Sequence, residues 1–84
     1  MGRRKRTIPA KFGQKLKTIR ENLGLTGEQM VERLNCPSIA LYPASITHFE
    51  QGQREPPLIV LLQYARLAKV HVDDLIDDGV DLPF

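Results

Sequence analysis

Three side chains in this sequence have the chemistry for metal binding or catalysis: Cys36, His48 and His71. Zinc sites use ligands in close pairs, roughly two to five positions apart, and these three residues are far apart in the chain. A catalytic histidine needs a nucleophile, a second base or a glycine-rich phosphate loop beside it, and His48 has none of these. A single cysteine also excludes an internal disulfide. We therefore expect no enzymatic activity, no metal and no cofactor.

The charged residues indicate a different chemistry, the binding of phosphate. Residues 1–54 carry ten Lys and Arg against four Glu, whereas residues 55–84 carry two against six Asp and Glu. A basic surface gains affinity for nucleic acid because it displaces condensed counterions from the phosphates. The alternative is a solvated surface with uneven charge.

The most basic segment is the run Arg3, Arg4, Lys5 and Arg6. Residues 1–10 are predicted to be a flexible N-terminal arm that follows the DNA backbone or enters an A·T-rich minor groove. The same run would serve as a nuclear localisation signal in a eukaryotic protein, or be an idle disordered tail.

Composition places the chain among soluble globular domains. Its 84 residues are 42% hydrophobic and 26% charged, which predicts a single folded domain. No apolar run approaches the ~20 residues of a membrane span, and no hydrophobic segment follows the basic start to form a signal peptide. We expect a cytoplasmic protein without membrane contact.

Two amphipathic helices are predicted in the first half. Apolar residues recur at helical spacing through residues 11–23, and Gly24 is suited to the left-handed residue that ends such a helix. Thr26 is predicted to cap a second helix, with Gln29 completing a capping box. The predicted buried face of this helix is Met30, Val31 and Leu34.

The second half predicts three more helices after a loop at residues 35–43, where Pro37 and Pro43 are obstacles to helix formation. A short third helix turns Ile46 and Phe49 inward. This arrangement leaves Ser45, Thr47 and His48 facing outward. A fourth helix begins at Pro56-Pro57, with an apolar face formed by Leu58, Leu61, Leu62, Ala65 and Ala68. A fifth spans residues 72–76, and a tail follows at 79–84.

These helices carry a recognisable pattern. Its most specific part is the string I-x-x-F-E-x-G-x-R-x-P from Ile46 to Pro56, supported by residues 25–30 and 61–76. Over residues 11–78 the chain resembles the phage-repressor and Cro-like (XRE-type) helix-turn-helix family. The resemblance implies an all-α fold, a compact bundle of five short helices like the DNA-binding domain of lambda repressor. It also implies a bacterial or phage protein associated with the nucleoid.

The resemblance assigns roles to particular residues. The third helix would lie in the major groove of double-stranded DNA while the second crosses the backbone. The positions implied to read bases are Tyr42, Ala44, Ser45, Thr47 and His48. The positions implied to contact phosphates are Thr26 and Gly27, through free amides at the start of the second helix, and Gln53 and Arg54. Arg54 has a rival role as a surface residue paired with Glu55.

Arg20 and Glu50 match positions that form a partly buried ion pair between the first and third helices of this family, and two unrelated surface charges are the alternative. The chain departs from the family in three places. Pro43 and Ala44 replace polar readers, Gly27 replaces a frequent Gln, and the connection between Leu34 and Ile46 is about five residues longer than the usual tight turn. The extra loop at residues 36–40 either bulges away or approaches DNA or a partner.

The resemblance implies a transcriptional regulator of the repressor kind that binds a palindromic operator as a homodimer. The dimer surface is predicted on the fifth helix and tail, at Val80, Leu82 and Phe84. The alternative is an antitoxin-like or adaptor protein of the same fold whose main role is to bind a protein partner. The apolar loop residues Ile39 and Leu41, the weak readers and the acidic C-terminal third favour that alternative.

Overall fold

The computed structural model describes residues 8–84 and is all-helical, with no strand in that range. The predicted arm residues Arg3, Arg4, Lys5 and Arg6 lie outside it. The five predicted helices are confirmed: α1 spans Phe12–Asn22, α2 Gly27–Leu34, α3 Pro43–Glu50, α4 Leu58–Ala68 and α5 Val72–Ile76. No helix of the described part is long and apolar enough to cross a membrane.

The core contains the predicted inward-facing residues of the first three helices. Leu16, Ile19, Met30 and Leu34 are fully buried, and Ile46 and Phe49 are nearly so. Val31, which was predicted to be buried, packs against the core but is only half-buried. The full set of buried apolar residues is Phe12, Leu16, Ile19, Met30, Leu34, Ile46, Phe49, Val60, Leu61, Tyr64, Ala65 and Leu75.

The predicted apolar face of α4 is partly wrong. Leu61 and Ala65 are buried as expected, but Leu58 is 82% exposed. Leu58 lies on the rim of an apolar groove with Leu61 and Ile76, which no other part of residues 8–84 covers. The fully buried residues of α4 are instead Val60 and Tyr64.

The start of α3 also differs from the prediction. Pro43 does not prevent the helix but is its first residue, after the N-cap Tyr42. Proline is tolerated at this position because the first amides of a helix have no intrahelical acceptor and its fixed φ is already helical. The helix is therefore two residues longer at its N-terminus than the predicted Ser45–Glu50.

The long connection between α2 and α3 folds back on the protein. Asn35 ends α2 in the left-handed conformation (φ 48°), and a turn follows in which the Ile39 amide donates to the Cys36 carbonyl at 3.0 Å. Ile39 and Leu41 both pack against the core. Burial raises the pKa of the Cys36 thiol, which keeps it in the less reactive protonated form.

Two side chains join the C-terminal segment to α1. Lys15, only 5% exposed, donates from Nζ to the carbonyls of Asp74 (2.6 Å), Asp77 (2.8 Å) and Val80 (2.5 Å). The Asp78 carboxylate accepts from the amides of Ala10 (2.8 Å) and Lys11 (2.9 Å). These bonds satisfy donors before α1 and acceptors around the end of α5.

Candidate nucleic-acid interface

The surface of α3 that faces away from the core is formed by residues at helical spacing. Ala44 and Thr47 are exposed and His48 is half-buried, as an outward face beside the buried Ile46 and Phe49 requires. Tyr42, at the N-cap, has 63% of its surface exposed. Four of the five predicted base-reading residues therefore lie on or beside one accessible surface.

Ser45 is the exception, and the prediction that it faces outward is wrong. Its side chain lies in the interior with 8% exposure, and its hydroxyl accepts a hydrogen bond from the Tyr42 amide at 3.2 Å. The Ser45 amide in turn donates to the Tyr42 carbonyl at 2.9 Å. Because the hydroxyl caps the start of α3, Ser45 fixes where the helix begins instead of presenting a polar group to a ligand.

The hydroxyl of Thr47 is also engaged within the helix. Its Oγ1 donates to the Pro43 carbonyl at 3.3 Å, one helical turn earlier. This bond uses a carbonyl of the first turn and directs the hydroxyl back along the helix. Because Thr47 is exposed, its γ-methyl group lies on this surface beside a hydroxyl that has already donated its proton to the helix.

The turn that ends α3 determines where two predicted phosphate-binding residues, Gln53 and Arg54, lie. Gln51 is the C-cap, and Gly52 follows with φ +74°, a conformation that favours glycine. The amides of Gln53 and Arg54 both donate to the His48 carbonyl, at 2.9 and 3.3 Å. The side chains of Gln53 and Arg54 thus emerge exposed directly after α3.

The predicted ion pair between Arg20 and Glu50 is confirmed and holds α3 in place. Arg20 Nε lies 2.7 Å from Glu50 Oε2, and Nη2 lies 3.1 Å from Oε1. Arg20 Nη1 also donates to the Leu25 carbonyl at 3.0 Å, so one guanidinium connects α1, the turn before α2 and α3. The hydrogen bond to Glu50 raises the pKa of Arg20, and the side chains are 21% and 9% exposed.

The first turn of α2 contains the predicted capping box. Thr26 Oγ1 accepts from the Gln29 amide at 3.1 Å, and the Thr26 amide donates to Gln29 Oε1 at 2.9 Å. The prediction that the Thr26 amide is free is therefore wrong, because the Gln29 side chain occupies it. The amides of Gly27 and Glu28, at the first two helical positions, remain free of intrahelical acceptors.

The starts of α2 and α3 are next to each other. A Cβ atom placed on Gly27 would lie 3.8 to 3.9 Å from backbone and ring atoms of Pro43. The free amide end of α2 therefore lies beside Tyr42, Pro43 and Ala44. A group that binds at the start of α2 is in reach of the exposed surface of α3, which is the geometry needed for contacts to one DNA strand and to its groove.

Two residues that the structure places on this surface or beneath it are not singled out in the sequence analysis. Gln51 is exposed, one helical turn beyond Thr47, and its spacing from Thr47 was the available signal. Tyr64 is fully buried. Its pKa is raised mainly by this burial and to a smaller extent by the negative charge of the nearby Glu50 carboxylate. Its hydroxyl is the buried side-chain polar atom in residues 8–84 that lacks a hydrogen-bond partner.

No group of three or more His, Cys, Asp or Glu residues that could hold a metal ion occurs in the described part of the chain. Cys36, His48 and His71 thus do not form a common site there.

Comparison with known proteins agrees with this geometry. No curated protein and no solved structure matches the chain. One family model does match, described as a helix-turn-helix domain, and it covers residues 11–78, from just before α1 to just after α5. Since this match includes most of the chain, the protein belongs to the helix-turn-helix domain family of the phage-repressor and Cro-like type.

Proposed function

We propose that the protein is a transcriptional repressor that binds a palindromic operator as a homodimer. The observation that carries this proposal is the placement of the free α2 amide end beside the exposed surface of α3, which the Arg20–Glu50 pair fixes against α1. A bound dimer would block the polymerase by occupying the promoter.

Phosphate contacts would supply most of the affinity. On α2 the binding groups are the amides of Gly27 and Glu28, at the positive end of the helix dipole. After α3 they are the side chains of Gln53 and Arg54, both exposed. The basic residues Arg3, Arg4, Lys5 and Arg6 would add an arm along the backbone or in the minor groove. The Glu28 carboxylate opposes the phosphate charge, which makes the contacts after α3 more important.

The dimer surface is proposed to lie around α5 and the start of α4. Exposed apolar side chains there are Leu58, Ile59 and Ile76, with Val80 and Phe84 on the tail. Leu82, one of the residues expected at this surface, packs instead against the core of its own chain. A symmetric pair of these surfaces would set the half-sites about one helical turn apart.

The alternative function, recognition of a protein partner, loses one of its supports. Ile39 and Leu41 are turned toward the core of their own chain and are only partly exposed. The inserted loop therefore does not offer them as a free apolar surface. Its other two supports, the weak base-reading positions on α3 and the acidic C-terminal third, remain.

Selection from random duplex DNA at several salt concentrations tests the proposal. One enriched palindrome, bound by a dimer in sedimentation equilibrium, is the expected result. Salt-dependent retention without enrichment would contradict it, because that behaviour indicates only generic attraction to phosphate.

A pair of matched charge variants tests the proposed phosphate contacts. Arg54→Gln is expected to make the slope of log affinity against log salt shallower by about 1.8, because the dimer loses one phosphate contact in each subunit and each contact contributes about 0.9. Arg66→Gln makes the same charge change at an exposed position on α4, outside the proposed interface, and is expected to leave the slope unchanged. Equal slopes for the two variants would remove Arg54 from the interface.

A further inference from the structure

We propose that the base-contacting surface of α3 recognises C5-methyl groups of pyrimidines in the major groove, above all those of thymine. This inference rests on the proposed operator binding and specifies what that binding reads. It is carried by the chemistry of the first two turns of α3, where rings and methyl groups are exposed and the hydroxyls of Ser45 and Thr47 are hydrogen-bonded to the backbone of the same segment.

The apolar groups come from three consecutive residues. Tyr42 exposes 63% of its surface, and Pro43 and Ala44 are both exposed at the first two positions of the helix. The Pro43 side chain closes on its backbone nitrogen, so the residue has no N–H donor, and Ala44 presents only a methyl group. None of these groups makes the paired hydrogen bonds by which Arg reads guanine or Gln reads adenine.

The hydroxyl groups of Ser45 and Thr47 are hydrogen-bonded to the backbone of this segment. Ser45 Oγ is buried and accepts from the Tyr42 amide, and Thr47 Oγ1 donates to the Pro43 carbonyl. Thr47 therefore contributes its γ-methyl group to the exposed surface next to Ala44, one turn earlier on the same side of the helix. The other polar groups of this surface are the Tyr42 phenol at the start of the helix and, further along, the half-buried His48 and the exposed Gln51.

In the major groove, the apolar feature of a base-pair edge is the C5-methyl group of thymine. Against a surface of methyl groups and rings, a thymine methyl loses contact with water, whereas an unmethylated pyrimidine leaves a gap. Burial of one methyl changes affinity about fourfold, equivalent to ~0.8 kcal/mol. Neighbouring A·T pairs would also give the narrow minor groove that a basic arm prefers.

The test replaces thymine with deoxyuridine, which lacks the methyl group and keeps the same hydrogen-bonding edge. Each thymine of the selected operator half-site is replaced in turn, and the dissociation constant of the full chain is measured. We define the uridine penalty as the ratio of the dissociation constants with and without the replacement. The expected penalty is about fourfold at the contacted positions and unity for thymines in flanking DNA.

Two substitutions at Thr47 separate its methyl group from its hydroxyl. Thr47→Ser keeps the hydroxyl and removes the methyl, so the uridine penalty at the thymine opposite residue 47 is expected to disappear. Thr47→Val keeps a methyl group in the same place, so the penalty is expected to persist. Thermal denaturation of both variants shows whether they are folded at the assay temperature. The reverse pattern would mean that the hydroxyl is the reading group, and would overturn the inference.

The inference and the proposed function fail in different ways. An enriched palindrome whose thymines can all be replaced by deoxyuridine without loss of affinity would overturn methyl recognition and keep the operator-binding function. A half-site without thymine would do the same. The absence of any enriched sequence would reject the function itself, and methyl recognition with it.

Discussion

Gly13 lies where the backbones of α1 and α3 approach each other. Replacing it with alanine is expected to destabilise the protein, although the same substitution inside a helix ordinarily stabilises it. A Cβ atom on Gly13 would overlap the Glu50 carbonyl oxygen, and it would lie 3.0 Å from the Glu50 carbonyl carbon and 3.2 Å from the Phe49 carbonyl oxygen. The obstructing atoms belong to the backbone of α3, so no side-chain rotation relieves the contact. Gly13→Ala must therefore move α1 relative to the end of α3.

The expected loss follows from two opposing effects. Alanine in place of glycine inside a helix contributes about 1 kcal/mol of helix propensity, which alone would stabilise α1. Overpacking a close contact costs about 1 to 3 kcal/mol, and overlap with a rigid carbonyl belongs at the upper end. We expect Gly13→Ala to lower the free energy of unfolding by about 2 kcal/mol.

Urea denaturation followed by far-UV circular dichroism measures this change. Gly27→Ala is the matched control, since Gly27 is also helical and its added Cβ would meet Pro43 atoms only at ordinary distances of 3.8 to 3.9 Å. The control is expected to be neutral or more stable by up to about 1 kcal/mol. If Gly13→Ala matched or exceeded the wild type in stability while the control behaved as expected, the close approach of α1 and α3 would be refuted.

Three further predictions concern polar groups. Glu50→Gln leaves Arg20 without its counter-charge and should lower the free energy of unfolding by about 3 kcal/mol, the lower end for a buried pair, since Arg20 is partly exposed; a loss below about 1 kcal/mol in urea denaturation would contradict this. The hydrogen bond from the Lys11 amide lowers the pKa of Asp78. The ionised Asp78 carboxylate therefore stabilises the protein above the ordinary carboxyl pKa, and this contribution disappears as the pH falls through the lowered pKa. Asp78→Asn should therefore be less stable than the wild type at pH 7 and approach it in acid; a constant difference would contradict the assignment. Tyr64→Phe removes a buried hydroxyl that has no partner and should stabilise the protein by up to about 1 kcal/mol in thermal denaturation. Because burial raises the pKa of Tyr64, the wild type should also lose stability above about pH 10, where the tyrosine ionises in the unfolded chain but not in the folded protein. The variant should lack this loss, and identical stability profiles in alkali would contradict the raised pKa of Tyr64.

Sequence patterns were sufficient for the helices and for most of the exposed surface of α3. The apolar spacing of α1 and α2, the Thr26 capping box and the Arg20–Glu50 pair are all present. These features depend on residues a few positions apart or on the family pattern. Ser45 was also within reach of such reasoning, because with Pro43 at the first helical position it becomes the third, where a side chain bonds back to the N-cap amide.

The errors and omissions arise where tertiary packing overrides local pattern. Leu58 is on the predicted apolar side of α4, yet α5 ends at Ile76 and leaves this side open. Lys15 occupies a polar position in the α1 pattern and is nevertheless buried, because three carbonyls from the C-terminal segment surround its ammonium group. No periodicity within one helix contains that information, since the partners are about 60 residues away in the chain.

The hydrogen bonds from Ala10 and Lys11 to Asp78 also bring the two ends of the helical bundle to one corner of the molecule. The tail continues from there along α1, where Leu82 and Phe84 lie near Gln14 and Thr18. A short linker from this tail to Ile8 would therefore join the ends without stretching the fold. A circularly permuted chain with new termini in the exposed part of the loop at residues 36–40 should retain all five helices. If it folds, the packing of the helices does not depend on the order in which they follow one another along the chain.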